Sequence, residues 1–225
     1  MENKGLGTII FKNPPSLLSY SAIVGKKEGE GPLGNYFDEV EEDSYFGQES
    51  WEKAESENLR RSVMRTLKKG SFKADDIDFA ISGDLLNQCI SSGYALRSLQ
   101  IPFFGVYGAC STMAESMALG SVLVSGGGAK RVLCATSSNF CSAEKQFRTP
   151  LEYGGQRTPN AQWTVTGSGA LIIENSENDI LYNVKSGYKL NVEKVGVLPD
   201  YIEASKADTA PKKENGNAEK GLANW

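Results

Sequence analysis

Apolar positions along this chain change period several times, and each change marks an element. From residue 51 they recur at helical spacing, with Trp51, Ala54, Leu59, Val63 and Leu67 near one face, Glu52, Glu55 and Glu57 early, and Arg65, Lys68 and Lys69 late. Ser50 stands where an N-cap accepts and Gly70 where a helix ends, so the pattern predicts a helix whose charge order complements its dipole. Its charges read as a solvated face rather than a binding patch.

Elsewhere the apolar residues come as short runs bounded by turn residues, which predict strands. These are Thr8-Ile9-Ile10-Phe11 before Asn13-Pro14-Pro15, residues 19–24 before Gly25, residues 79–84, 103–107 and 132–139, and a run that enters through polar residues and ends at Glu174. Residues 180–188 alternate as an edge strand does. Residues 85–99 read as a helix interrupted at Ser91-Ser92-Gly93, with Cys89 as a small core residue. The charged stretch 26–50 reads as a long loop, either a lid or a solvated excursion. Residues 140–161 read as irregular, and Gly154-Gly155-Gln156-Arg157 within them is either an anion clamp or a surface loop. Beyond Pro199 no apolar period remains, which predicts disorder over residues 205–225.

One stretch organises the rest. Phe103-Phe104-Gly105-Val106-Tyr107 collapses at Gly108-Ala109 into Cys110, and helical spacing starts at Ser111 and runs to about Val124. The reading is a strand feeding a helix through a tight turn that carries Cys110. Thr112-x-x-Glu115 has the form of a capping box, and Ala114, Ala118, Gly120 and Ser121 make the helix small-sided enough to lie deep against other backbone. Unpaired N–H groups at such a helix start would favour a thiolate, an oxyanion or a bound carboxylate. Cys110 is thus either a nucleophile or a landmark in a ligand pocket. Asp84 and Asn139 end two further strands, where ligands gather in a parallel sheet; Asp84 is equally an N-cap and Asn139 equally a turn residue.

Composition narrows the chemistry. With 225 residues the chain suffices for one large domain or two small ones, and a net charge of -4 argues against a nucleic-acid partner. No run of about 18 apolar residues and no signal core occurs, so the expectation is a soluble chain made in the cytoplasm. Four cysteines form no Cys-x-x-Cys pair, which leaves out a zinc ribbon and a thioredoxin motif. The chain contains no histidine, so it holds neither a Ser-His-Asp triad nor a Cys-His pair, and no metal site or cofactor is expected.

The order strand, helix, strand, Gly-Ala-Cys turn, small-sided helix, strand, then Gly167-Ser168-Gly169-Ala170-Leu171-Ile172-Ile173 resembles the N-terminal half of the thiolase and ketoacyl-synthase superfamily. Residues 103–115 with Phe147-Arg148-Thr149-Pro150-Leu151-Glu152-Tyr153-Gly154-Gly155-Gln156-Arg157-Thr158-Pro159 resemble more closely its sporulation branch, which serves dipicolinic-acid uptake in spore-forming bacteria. The resemblance implies an α/β, thiolase-like layered fold over residues 1–188, with a mixed, mostly parallel sheet and flanking helices, then a divergent extension at 189–204. It also implies a second, homologous half, absent here, which in condensing enzymes supplies the catalytic histidine.

The function so implied is non-catalytic: binding of dipicolinic acid, alone or as its calcium complex, for uptake into the developing spore. The expected ligand-binding residues are Cys110 and Ser111, whose N–H would meet a carboxylate, with Asp84 and Asn139 as a polar rim. Asp84 suits an anion only if protonated or bridged by calcium, which favours oxygen ligands. The alternatives are an acyl-thioester condensing enzyme using Cys110, or a truncated fragment without activity. Implied partners are other stage V sporulation membrane proteins and a second copy in a homodimer, with a peripheral location at the inner membrane of the forespore or spore.

Overall fold

A computed structural model describes residues 1–3, 8–86, 89–147 and 164–175. Its strands are β1 (Glu2–Asn3), β2 (Ile9–Ile10), β3 (Ser16–Gly25), β4 (Glu39–Glu41), β5 (Phe79–Gly83), β6 (Phe103–Gly105), β7 (Arg131–Ser138) and β8 (Gly167–Glu174). β1 and β2 form a small antiparallel ribbon, and the other six make one sheet in the order β4-β3-β8-β7-β5-β6. The pairs β3/β4, β5/β6 and β5/β7 are parallel, while β8 lies antiparallel to both β3 and β7. β8 alone therefore runs against the rest, and the sheet is mixed and mostly parallel as expected.

The period of two along the strands sorts side chains onto two faces. Ala80, Leu133, Ala135, Ala170 and Ile172 face Leu59, Val63 and Leu67 of α2 (Trp51–Gly70) and Ala95 and Leu96 of α3 (Ile90–Arg97). Ile81, Val132, Cys134, Leu171 and Ile173 face Met117 and Val124 of α4 (Thr112–Ser125) on the other side. The small side chains of α4 serve the purpose expected of them. A Cβ built on Gly120 would lie 3.0 Å from the Cys134 sulfur and 3.1 Å from a Val132 methyl.

α2 begins as predicted, with Ser50 Oγ accepting from the Lys53 N–H at 3.3 Å. Its end differs: Gly70 is the last helical residue, and Ser71 takes the left-handed cap at φ 58. Gly70 is required for space instead, since a Cβ there would meet the Phe72 ring at 2.5 Å.

Three other expectations are corrected. The stretch 26–50 is neither lid nor excursion: α1 (Lys26–Gly29), a 3-10 turn (Gly34–Tyr36) and β4 order it, and Ile23, Val24 and Gly25 pair in parallel with Glu39, Val40 and Glu41. Residues 140–147 are not irregular but form α5 (Phe140–Phe147). Finally, the charges of α2 do more than meet solvent. Arg61 forks onto Glu57 and Glu41 at 3.0 and 2.7 Å, Arg65 pairs with Glu39, and Lys69 reaches Asp38 at 2.7 Å, so the helix pins the acidic segment to the sheet edge.

Glu55, Asn58, Ser62 and Thr66 of α2 are buried polar residues on the side turned to the sheet. Their partners make a ladder: Ser21 Oγ pairs with Thr66 Oγ1 at 2.8 Å and donates to the Ser62 carbonyl at 2.7 Å, while Ser168 Oγ donates to Asn58 Oδ1 at 2.7 Å. Buried hydroxyls paired in this way avoid the cost of an unmet polar group and fix the register of helix on sheet. The expected edge strand at 180–188 and the disordered tail at 205–225 lie outside the described residues.

Candidate functional site

β6, β5 and β7 are parallel neighbours, so their carboxyl ends open on one side of the sheet, and the turn bearing Cys110 follows β6 there. That turn is a 3-10 segment (Ala109–Ser111) entered through Ala109 at φ 49, a left-handed conformation that costs a residue with a Cβ. It sets Cys110 exposed to solvent. Backbone crowding fixes the turn from below. A Cβ on Gly83, at the end of β5, would lie 1.9 Å from the Val106 carbonyl oxygen, and one on Gly108 would lie 2.4 Å from Ser111 Oγ. Gly83 is needed because backbone approaches it, whereas at Gly108 the crowding atoms are the movable ends of the Ser111 and Glu115 side chains.

The turn spends its own first donors. Ser111 N–H donates to the Gly108 carbonyl at 3.0 Å, and the Thr112 N–H to the Ala109 carbonyl. The expected Ser111 N–H for a carboxylate is therefore occupied, and the exposed Ser111 hydroxyl also rests on the Gly108 carbonyl, at 2.8 Å. Nor does Thr112 head a capping box. Its Oγ1 turns back, accepting from the Gly108 N–H at 3.2 Å and donating to the Ala109 carbonyl at 2.9 Å.

Asp84 and Asn139 lie at the same end of the sheet, but their side chains face inward and are fully committed. Asp84 is 1% exposed; its Oδ1 accepts from the Leu86 N–H at 2.7 Å and its Oδ2 from the Ser92 N–H and hydroxyl at 2.7 and 2.6 Å. It holds the loop between β5 and α3 in place. Asn139 is buried and caps α5, its Oδ1 accepting from the Cys141 N–H at 3.0 Å and its carbonyl from the Ala143 N–H at 2.9 Å. Asp84 is not the N-cap of α3, which is Cys89; it closes a turn on Leu86 and ties down Ser92, while Asn139 caps α5, because a short polar side chain beside free N–H groups finds its partners locally.

Sequence reasoning missed Glu55, which joins these parts. Fully buried, it accepts from the Ser137 hydroxyl of β7 at 3.2 Å and the Ser142 hydroxyl of α5 at 2.8 Å. Burial pushes its carboxyl up to about 7; the Asp84 charge adds to the rise, while bonds from Ser142, Ser137 and the Leu85 N–H pull against it. The signal was present, since Glu55 stands four residues before Leu59, within the stripe read as apolar. Cys89, read as core, instead sits half-buried at the start of α3 with φ 70, and its thiol donates to the Val106 carbonyl at 3.2 Å. Burial raises that thiol above its ordinary range. Cys134 is the cysteine that packs as core.

Asp84 is buried with both oxygens accepting from loop donors, so its carboxylate does not face solvent where a calcium ion would arrive. Among the described residues no three Asp, Glu, Cys or His side chains gather as a metal site, and no helix is long and apolar enough to cross a membrane. The Gly154-Gly155-Gln156-Arg157 string lies outside the described residues.

A cysteine on the turn between a strand and a small-sided helix, at the open end of a mixed α/β sheet, is the arrangement expected of a thiolase-like fold. Solved structures bear out that fold. The chain is similar to the Xanthomonas campestris protein OleA with cerulenin, at a TM-score of 0.53 and 11% identity, over 79% of this chain and 61% of that one. A second OleA structure, with bound lauric acid and lauroyl-CoA, gives a TM-score of 0.51 at 13% identity over 75% and 58% of the two chains. Within this class the chain belongs to the stage V sporulation protein AD family, whose model matches residues 5–201. It is 46% identical over 180 residues to stage V sporulation protein AD of Bacillus subtilis (strain 168), which covers 80% of this chain and 53% of the relative. The chain thus spans about half the length of that curated relative.

Proposed function

We propose that this sporulation-family chain is a non-catalytic binder of dipicolinic acid that serves its uptake into the developing spore. The observation that carries the reading is the exposed Cys110 turn at the open ends of three parallel strands. A planar dicarboxylate needs polar donors and a flat apolar wall. The Cys110 thiol supplies a donor, Ser111 shapes the turn beside it through its bond to the Gly108 carbonyl, and the 45% exposed Tyr107 ring supplies a wall. Asp84 and Asn139 act one step back, by holding the loops on either side. Calcium, if it enters, arrives with the ligand.

Catalysis is disfavoured by the absence of histidine in this chain, because thiol activation needs a base. Stage V sporulation membrane proteins are the proposed partners, at the inner membrane of the forespore or spore. A second copy would add through β6, whose Phe103 and Phe104 are 37% and 48% exposed on an edge strand.

Isothermal calorimetry with dipicolinic acid, with and without calcium, tests the binding. Heat and a thermal shift that Cys110→Ala removes are expected; neither heat nor shift with either form would sink the proposal. The condensing-enzyme reading is favoured by the same exposed Cys110. Its test is mass spectrometry after incubation with acetoacetyl thioesters, where a stable adduct on Cys110 would restore it.

A further inference from the structure

The described residues enclose an open groove of about 920 Å³ on the outer side of α2. Its floor is apolar, formed by Met64, Leu67, Phe72 and Leu99, and its walls carry Arg60, Arg61, Arg65, Lys68, Lys69 and Lys73 against a single acid, Glu39. This concentration of cations occurs in a chain whose net charge is -4. Four of the six are already tied down: Arg60 to Glu57, Arg61 to Glu57, Glu39 and Glu41, Arg65 to Glu39, and Lys69 to Asp38. Lys68 and Lys73 are exposed and form no ion pair with the described residues. Met64 is 43% exposed at the mouth, whereas Leu67 below it is 4% exposed.

From this arrangement we infer that the groove is a docking site for an acidic, amphipathic segment of a partner protein, with an apolar side chain seated on Met64 and Phe72 and carboxylates meeting Lys68 and Lys73. Three features select that occupant. A free small anion would leave the apolar floor wet. A flat anionic bilayer would touch the rim cations and not the recessed Leu67 and Leu99. A nucleic acid would need free cations for its phosphates, and four of the six cations here are already paired with acids. An amphipathic helix laid in a groove satisfies both floor and walls at once. The paired arginines hold their guanidinium forks in place, so docking would order few new side chains.

The position matters too. Lys73 and Ala74 lead into β5 and Leu99 leads into β6, so the end of the groove that holds Lys73 lies at the amino ends of those strands, away from the Cys110 turn. A partner seated there leaves the open end of the sheet free, and ligand and partner can be held together. This inference does not depend on the identity of the ligand.

Fluorescence anisotropy of the full chain with synthetic peptides tests it. One peptide carries leucines at helical spacing with glutamates between them, a second replaces the leucines by serine, and a third replaces the glutamates by lysine. The leucine-glutamate peptide is expected to bind, about tenfold more weakly to a Lys68→Glu/Lys73→Glu chain, more weakly to Met64→Ser, and less in high salt. Lys68→Gln/Lys73→Gln, which removes charge without reversing it, should fall between, and unchanged circular dichroism should accompany each variant because the altered side chains are exposed. Equal binding by the reversed variant, equal binding of the serine peptide, or retention by phosphatidylglycerol vesicles in place of the peptide would each overturn the assignment.

Discussion

The two long helices on either side of the sheet solve opposite problems. α2 turns Glu55, Asn58, Ser62 and Thr66 toward the sheet and wraps its outer side in ion pairs to Asp38, Glu39, Glu41 and Glu57. α4 turns a close-packed, small-sided surface inward and leaves Ala114, Ala118, Leu119 and Val122 half-bare outward. On the α2 side, position is set by hydrogen-bond geometry, which specifies one register. On the α4 side it is set by backbone distance, which specifies how little volume each residue adds.

That contrast predicts different responses to change. The greatest loss belongs to close approach: Gly83→Ala brings a Cβ within 1.9 Å of the Val106 carbonyl and should cost about 3 kcal/mol or more, read by urea unfolding. Next comes the acid end of the α2 ladder. Glu55 has a folded value of about 7, above its ordinary 4.5, so its protonated form favours the fold. Its contribution is full below about pH 4.5, declines as pH rises toward 7 and is level above that, by up to about 3 kcal/mol. Glu55→Gln should remove that slope from the pH profile of the midpoint; an unaltered slope would show that Glu55 does not titrate there.

Smaller effects follow further along. Thr66→Val deletes a hydroxyl whose one proton is shared between Ser21 Oγ at 2.8 Å and the Ala170 carbonyl at 3.1 Å, and should cost about 1–2 kcal/mol. Leu119→Lys on the bare side of α4 should change stability by no more than about 0.5 kcal/mol, yet reduce self-association in sedimentation. A large stability loss at Leu119 would mean that this side is as finished as the other.

Much of the architecture was legible because it rests on local pattern. The Ser50 cap, the 51–70 helix, the Cys110 turn and the apolar runs of β7 and β8 each carry their signal within a few residues. β4 was hidden because its Glu-Val-Glu string reads as solvated charge, and only cations brought from α2 make it a strand edge. The α2 ladder was hidden for a related reason: its partners lie more than forty residues away for Ser21 and more than a hundred for Ser168, so no local period announces them. At the site, residue types placed Asp84 and Asn139 at the right end of the sheet but left the direction of their side chains open. Nearby N–H groups decided it.

The sheet's two margins are unequal. β4 is three residues long, and its glutamates are gripped by α2, whereas β6 presents exposed aromatic rings beside an unshared backbone edge among the described residues. One margin is closed to growth and the other is open. A junction of open margin to open margin would consume both, so the proposed second copy, if it adds through β6, closes that edge at two and leaves no strand edge for a fibre to grow from.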